Sequence, residues 1–293
     1  MRLATLRTKS GSHAVRVEDD HGVVLDASDV GSLLRVDDWR AVAAAPGPEV
    51  ALDLDEFLPV VPRPTNILCV GLNFVSHAAE IGADPPNHPS LFSKFSRSLI
   101  GPRDPMMLPH PSMSTQGDWE VELVAIVGRG GRNIPVREAG DHLAGYAVGN
   151  DGSVRDWQSR NRAPLAGKGW EGMTPLGPWL TTCDDIDVGD LEMTCEVDDV
   201  AMQRGVTSDV FFTPEEIVSY SSNIVTLEPG DVIFLGTPTG TAMTRQPSPW
   251  LRPGQVVRSS IAGLGELINV CEEGPAPRSD EWTRGAGRVV TSR

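Results

Sequence analysis

The sequence predicts a mixed, β-rich α+β fold, with a body of short strands behind a small N-terminal domain. Three observations predict it. Thirty Gly and 24 Pro in 293 residues interrupt the chain too often for a helical bundle. The apolar runs are short and mostly closed by glycine or proline, as strands are. PVVPRPT at 59–65 is a proline-rich break between two textures of sequence. The expected divisions are a small N-terminal domain at 1–64, a main domain at 65–272 and a polar tail at 273–293.

In chain order, His13, Val15 and Val17, then Val23, Val24 and Leu25, suggest short strands around a turn at 19–22. A small helix is expected within 29–45. NILCVGLN reads as a buried strand and FVSHAAE as one or two helical turns. GDWEVELVAIVG, 117–128, is a strand buried on both faces. Trp119, Val121, Leu123, Ala125 and Val127 share one face, and Glu120, Glu122, Val124 and Ile126 share the other. GRGGRN is a turn, 138–145 begins as a helix, and YAVGND ends as a short strand or turn. PEEIVSYSSNIVTL is an amphipathic helix with Pro214 early in its first turn. EPGDVIFLGTPTG reads as turn, strand and loop, and 253–271 as strand–turn–strand. Beyond Cys271 a polar Gly/Pro-rich tail is expected to fray.

The formal net charge of −15 argues against a nucleic-acid surface, and no basic stripe offsets it. An anionic substrate would therefore need a local cationic site. The four cysteines are scattered without CxxC pairs, as reduced thiols are. The first residues show no apolar signal-peptide core, and no apolar run is long enough to span a membrane. A cytoplasmic protein without membrane partners is expected.

Chemistry concentrates in three places. Glu120 and Glu122, two apart on one strand face, put carboxylates roughly 7 Å apart at the backbone in a poorly solvated place. Asp151 closes a nearby apolar segment. Three carboxylates with room for water suit Mg²⁺ or Mn²⁺ better than zinc. Pairing of both glutamates with Arg or Lys from neighbouring elements would satisfy the same pattern, and the residues alone leave both open. His77 and Glu80 lie at i, i+3 on a helix, where a carboxylate can orient an imidazole as a base, although a surface pair looks the same. Lys94, Arg155 and Lys168 stand between apolar runs as cations that could meet an anion. There is no nucleophile elbow, P-loop or HExxH, and GRGGRN lacks the spacing of a dinucleotide fingerprint.

Six stretches, in this order, resemble the fumarylacetoacetate hydrolase family, with its acylpyruvate hydrolases and 2-hydroxyhepta-2,4-diene-1,7-dioate isomerases. They are ILCVGLNFVSHAAE (67–80), LFSKFSRSLIGPRDPMMLP (91–109), GDWEVELVAIVGRGGRNI (117–134), HLAGYAVGNDGSVRDWQ (142–158), GKGWEGMTPLGPW (167–179) and LEPGDVIFLGTPTG (227–240). The Glu-x-Glu strand followed by Asn-Asp and Arg-Asp is the specific part. The resemblance implies a rolled mixed β-sheet, usually dimeric, acting on a small keto acid. It implies Mg²⁺ or Mn²⁺ on Glu120, Glu122 and Asp151, and water activation by His77 and Glu80 on a helix that closes as a lid. It also implies Lys168 as a catalytic cation, with Arg155 and Thr237 as substrate contacts. The expected reaction is hydrolysis of a carbon–carbon bond in an acylpyruvate or related 1,3-diketo acid. Decarboxylation of an oxaloacetate-type β-keto acid and isomerisation of a hydroxydienoate are the alternatives on the same site, and a catalytically idle ligand-binding member is a further one.

The chain departs from the family's usual pattern around this core. Phe74-Val75-Ser76 stands before His77 where Tyr-Arg-Asp is common, Phe95 follows Lys94 where proline is common, and Gly169-Trp170-Glu171 replaces Ser-Phe-Asp. Gly169 and Trp170 suggest a flatter, more aromatic pocket suited to a bulkier acyl group.

Overall fold

A computed structural model describes residues 1–9, 11–160 and 163–278. Before the proline-rich break come β1 (Arg2–Thr8), β2 (Gly11–Val17), β3 (Gly22–Val24), helices α1 (Val30–Leu34) and α2 (Trp39–Ala44), and β4 (Glu49–Val50). After it, β5 (Ile67–Gly71) leads into α3 (Val75–Ile81), then β6 (Ser90–Ser93), β7 (Leu99–Ile100), β8 (Met106–Leu108) and β9 (Gly117–Asp118). β10 (Val121–Val127) and β11 (Leu143–Asn150) flank α4 (Val136–Ala139), and β12 (Ser153–Val154), α5 (Arg155–Gln158) and α6 (Leu165–Lys168) follow. The remainder is β13 (Thr174–Thr182), β14 (Glu192–Val197), β15 (Val200–Val206), α7 (Pro214–Ile224), β16 (Val232–Phe234), β17 (Val256–Ile261) and β18 (Gly265–Glu273).

Among the described residues, eleven strands form one mixed sheet in the order β4-β3-β2-β1-β13-β11-β10-β16-β5-β6, with β7 beside β13. A five-stranded sheet runs β15-β14-β17-β18-β8. The first 64 residues join the large sheet where Arg2 and Leu3 of β1 pair with Thr181 and Leu180 of β13. This is the β-rich α+β architecture that the composition predicts.

β10 lies between two cores, as a strand apolar on both faces must. Trp119, Val121, Leu123, Ala125 and Val127 pack with Met193, Cys195, Val257 and Leu267 of the small sheet. Val124 and Ile126 pack on the opposite side with Ala147, Val232 and Phe234, beneath Val30, Leu33 and Trp39 of the N-terminal helices. The alternation read from the sequence is the alternation observed. At the start of this second face Glu120 and Glu122 replace the apolar residues.

Three local expectations are corrected. The strand read from 119 has its regular ladder from Val121, because the Glu120 N–H bonds the side chain of Asn150 (3.1 Å) and the Trp119 N–H that of Asp118 (2.8 Å). The helix expected over 138–145 is α4 plus a 3₁₀ turn at Gly140–His142, and the chain is already in strand by Leu143. Tyr146–Asn150 of YAVGND then belongs to the eight-residue β11, buried throughout, and Asp151 lies just beyond it. β13, β14 and β15 had no sequence expectation: the prolines of TPLGPW hide the first, and polar outward positions dilute the others. Most of the expected tail, 279–293, lies outside the described residues.

Candidate functional site

β10 and β11 are antiparallel, with Val121 opposite Asn150 and Glu122 opposite Gly149. One residue beyond β11, the Asp151 N–H bonds the Glu120 carbonyl at 2.8 Å. This register brings the Asp151 side chain to Glu120 and Glu122. Ligand oxygens of the three carboxylates lie within 4.8 Å of one another, and all three residues are buried. Gly149 is required here, since a Cβ would come within 2.5 Å of Phe234 and Val124. On the other flank β16 pairs with β10 and delivers the Gly236 N–H to Glu122 Oε2 at 2.7 Å. Gly236 has φ +99, and a Cβ there would meet Asn73 at 2.9 Å.

Three cations converge on this cluster. Lys94, just past β6, bonds Asp151 Oδ1 and the Gly152 carbonyl (3.1 Å). Lys168, the last residue of α6, bridges Glu120 Oε2 and Asp151 Oδ2, the latter at 2.6 Å. Arg155, the first residue of α5, donates to Glu120 Oε1 (2.5 Å), Asp118 Oδ2 (2.7 Å) and Gln158 (2.9 Å). The two alternatives left open by the Glu-x-Glu pattern are therefore partly combined. Glu120 has its Arg and Lys partners, whereas Glu122 accepts only the Gly236 N–H among the described residues.

Charge counting explains the electrostatics. Asp118, Glu120 and Asp151 balance Lys94, Arg155 and Lys168, which leaves Glu122 in excess. Burial, together with the Asp151 and Glu120 charges, pushes the Glu122 carboxyl well above the carboxylate range. Burial acts the same way on Glu120, but Lys168 and Arg155 outweigh it and hold that carboxyl down at about 2. Burial opposes the Lys168 ammonium, and the Asp151 and Glu120 charges overcome it and raise its pKa. A buried surplus of hard oxygen donors within one small volume fits a divalent cation such as Mg²⁺ or Mn²⁺, which would convert the surplus of one negative charge into an excess of one positive.

The His77–Glu80 pair forms at 3.0 Å between Nδ1 and Oε2 on α3. A carboxylate on Nδ1 fixes the tautomer whose Nε2 is free to take a proton. Glu80 Oε1 accepts from the Gly240 N–H (3.1 Å) and Thr244 Oγ1 (2.9 Å), so α3 is fastened to the loop after β16. The helix start is fastened too, by Val75 N–H to the Asp209 carbonyl (3.0 Å) and Ser76 N–H to its carboxylate (3.1 Å). Thr237, expected to meet the substrate, donates its hydroxyl to the Val121 carbonyl (2.8 Å) and accepts from Gln203 (2.9 Å). Trp170 sets its ring edge-on to Trp157 at 5.2 Å and bonds the Ala166 carbonyl, so its aromatic surface is turned onto the α5–α6 packing.

The sequence reading missed Asp118, Asn150 and Gln203. Asp118 is fully buried and accepts from Arg155 and from the backbone of Ala242 (2.7 Å) and Met243 (3.2 Å). Asn150 and Gln203 supply the bonds that the β10 backbone lacks at Glu120 and Val121. A polar residue inside an apolar run was the available signal for the first two. Gln203 carries none, because β15 reaches the site only through the fold. A surface cavity of about 550 Å³ lies elsewhere, along N-terminal residues including His13, Asp26 and Pro46.

Comparison with known proteins places this architecture. A family model described as fumarylacetoacetate (FAA) hydrolase C-terminal matches residues 66–272. A human relative named oxaloacetate tautomerase FAHD2A, mitochondrial, is 39% identical over 233 residues, 78% of this chain and 74% of that protein. The structure of a fumarylacetoacetate hydrolase from psychrophilic Exiguobacterium antarcticum superposes with TM-score 0.83 at 28% identity, covering 93% of this chain and 99% of that one. That of maleylpyruvate hydrolase from Sphingobium sp. SYK-6, in complex with manganese(II) and pyruvate, gives TM-score 0.77 at 27% identity, covering 94% and 100%. With a family match over residues 66–272 and a relative 39% identical over 78% of its length, this chain belongs to the fumarylacetoacetate hydrolase family of enzymes.

Proposed function

We propose that this protein is a divalent-metal-dependent enzyme that forms and reprotonates the enolate of a small 2-oxo acid. The observation that carries this reading is the surplus carboxylate: four buried acids face three cations, and a histidine–carboxylate base stands on a neighbouring helix. Glu120, Glu122 and Asp151 would hold Mg²⁺ or Mn²⁺. When bound, that ion polarises the substrate's keto and carboxylate oxygens and acidifies the adjacent carbon. His77, oriented by Glu80, takes a proton through Nε2. Lys168 and Lys94 offset the negative charge that then develops on substrate oxygen. Arg155 holds Glu120 and Asp118 in place, and Thr237 fixes the mouth of β10 against Gln203.

Keto–enol tautomerisation of an oxaloacetate-type acid is the reaction we place first, because relatives from human, rat, frog and cattle at 38–40% identity carry that name, while a bacterial relative at 41% carries a hydrolase name and supports the second reading. In it His77 removes a proton from C3 and the proton returns to the keto oxygen. The second reading is hydrolysis of an acylpyruvate, supported by the neighbour seen with manganese(II) and pyruvate. There His77 takes a proton from water, the water oxygen bonds to the distal carbonyl carbon, and the C–C bond breaks. Its electron pair leaves as pyruvate enolate, which is then protonated at C3. A homodimer and a cytoplasmic location belong to this proposal as well.

One assay separates the readings. The protein is incubated with oxaloacetate, a panel of acylpyruvates and a 2-hydroxydienoate, each with Mg²⁺, Mn²⁺ or EDTA. Enol absorbance is followed and products are identified by mass. Metal-dependent loss of enol at constant mass establishes the tautomerase or isomerase. Pyruvate plus a carboxylic acid establishes the hydrolase, and carbon dioxide a decarboxylase. Equal rates with EDTA and with metal would overturn the metal assignment.

A further inference from the structure

We infer that Thr244 is a positioning residue for the His77–Glu80 base, acting through a 3₁₀ turn that also grips the carboxylate centre. This rests on the reading of His77 as the base. The turn spans Ala242–Thr244. Its first two N–H groups donate to Asp118, Ala242 to Oδ1 at 2.7 Å and Met243 to Oδ2 at 3.2 Å. Asp118 in turn accepts from Arg155 Nε at 2.7 Å, and Arg155 bonds Glu120. The third residue of the turn, Thr244, donates from Oγ1 to Glu80 Oε1 at 2.9 Å. Trp119, next to Asp118, adds an indole N–H to the Gly240 carbonyl at 3.2 Å, while the Gly240 N–H reaches Glu80. A continuous chain of hydrogen bonds therefore runs from His77 through Glu80, the turn, Asp118 and Arg155 to Glu120. It fixes where the base stands relative to the carboxylates.

Thr244 Oγ1 has one proton and two acceptors at 2.9 Å, the Glu80 carboxylate and the Thr241 carbonyl. The ionised acceptor is the stronger partner, so the proton goes to Glu80. Glu80 is reached only by this hydroxyl and the Gly240 N–H from that loop, so removing the hydroxyl halves its fastening there.

The test is Thr244→Val, which keeps the shape and removes the donor, beside Thr244→Ser, which restores it. In the metal-loaded enzyme, Thr244→Val is expected to lower kcat about tenfold, a fraction of the loss typical of removing a base outright. KM and Mn²⁺ affinity stay within about twofold, as befits a group acting only on the base. Thr244→Ser recovers most of kcat. In Mg²⁺-loaded protein, the ¹⁵N shifts of the His77 imidazole move from one fixed tautomer toward a tautomer mixture in Thr244→Val and return in Thr244→Ser. Wild-type kcat and unmoved His77 shifts in Thr244→Val would overturn the inference, as would equal damage in the serine variant. If His77→Ala leaves turnover unchanged, the functional reading fails and takes this inference with it. If His77→Ala stops turnover while Thr244→Val does nothing, only the inference fails.

Discussion

The carboxylate centre and the His77–Glu80 pair are built in opposite ways. The centre sits on strand ends, with Glu122 and Asp151 almost wholly inaccessible and the cationic partners Lys94, Arg155 and Lys168 all buried. The pair sits on the seven-residue α3, with side chains 12% and 25% exposed, fastened by a few bonds to neighbouring loops. A strand end is the right place for ligands that must not move, because their geometry follows from register. A short helix on loop contacts is the right place for a group that must let substrate in and then close over it. On the function proposed above, metal binding falls to the rigid region and proton transfer to the loop-fastened one, the proposed hinged region, and substitutions in each should fail in different ways.

The sharpest contrast comes from Asp151→Ala. It removes a proposed metal ligand and also strands Lys94 and Lys168, both buried, without one of their carboxylates. Breaking a buried ion pair from one side typically costs about 3–5 kcal/mol, so a large drop in Tm should accompany loss of both Mn²⁺ binding and activity. Glu122→Gln should behave differently. Glu122 lacks a cationic partner and burial favours its neutral form, so the amide mimics the metal-free state. Tm without metal should hold or rise. Mn²⁺ affinity, measured by calorimetry, should fall at least about a hundredfold, since even groups that merely orient ligands cost ten- to a hundredfold. Mn²⁺ bound at wild-type affinity by Glu122→Gln would remove this residue from the metal set.

His77→Ala tests the hinged region. Turnover should fall about 10²–10⁴-fold, the span of general acid–base catalysis, with Mn²⁺ affinity and Tm close to wild type. A variant that lost metal binding instead would show that the two regions are not separable.

The rigid region was the more legible of the two in the sequence. Period-2 alternation puts Glu120 and Glu122 on one face and Trp119, Val121, Leu123, Ala125 and Val127 on the other, and the two cores divide along that line. The residues alone name the cations without assigning them, because Lys94, Arg155 and Lys168 come from three elements whose meeting depends on the β5–β6 pairing and on α5 and α6. Asp118 shows locally only as a polar residue beside an apolar run, and its bonds to Arg155, Ala242 and Met243 come from the fold. Gln203 was illegible for a physical reason, because it bonds the Val121 N–H, Thr237 and Pro238 across the fold and no local spacing encodes such bonds. Arg155 and Thr237, expected to face substrate, direct their polar atoms to Asp118, Glu120, Gln158, Val121 and Gln203, contacts that likewise come from the fold. For the hinged region, i, i+3 spacing predicted the His77–Glu80 bond itself, and nothing local predicted that a distant turn would hold it.

The smallest expected effect is a slope with pH, and it separates the two acids of the same strand. Glu122 is raised, so the folded metal-free protein holds a proton there above pH 4.5, where the unfolded chain has released it. The folded state then binds more protons than the unfolded one, and stability contributed at this site falls as pH rises from 4.5 toward the raised value. Glu120, held at about 2, does the reverse: its contribution is complete above pH 4.5 and is lost as pH falls from there through 2. Metal must displace the Glu122 proton and none from Glu120. Mn²⁺ affinity should therefore rise about tenfold per pH unit while Glu122 is protonated, with release of close to one proton. Calorimetry in buffers of different ionisation enthalpy counts that proton directly. Release of one proton by the wild type and none by Glu122→Gln would assign the surplus charge to this carboxyl. Release by both would move it to another member of the cluster, and the division between a charge-balanced Glu120 and an unbalanced Glu122 would be lost.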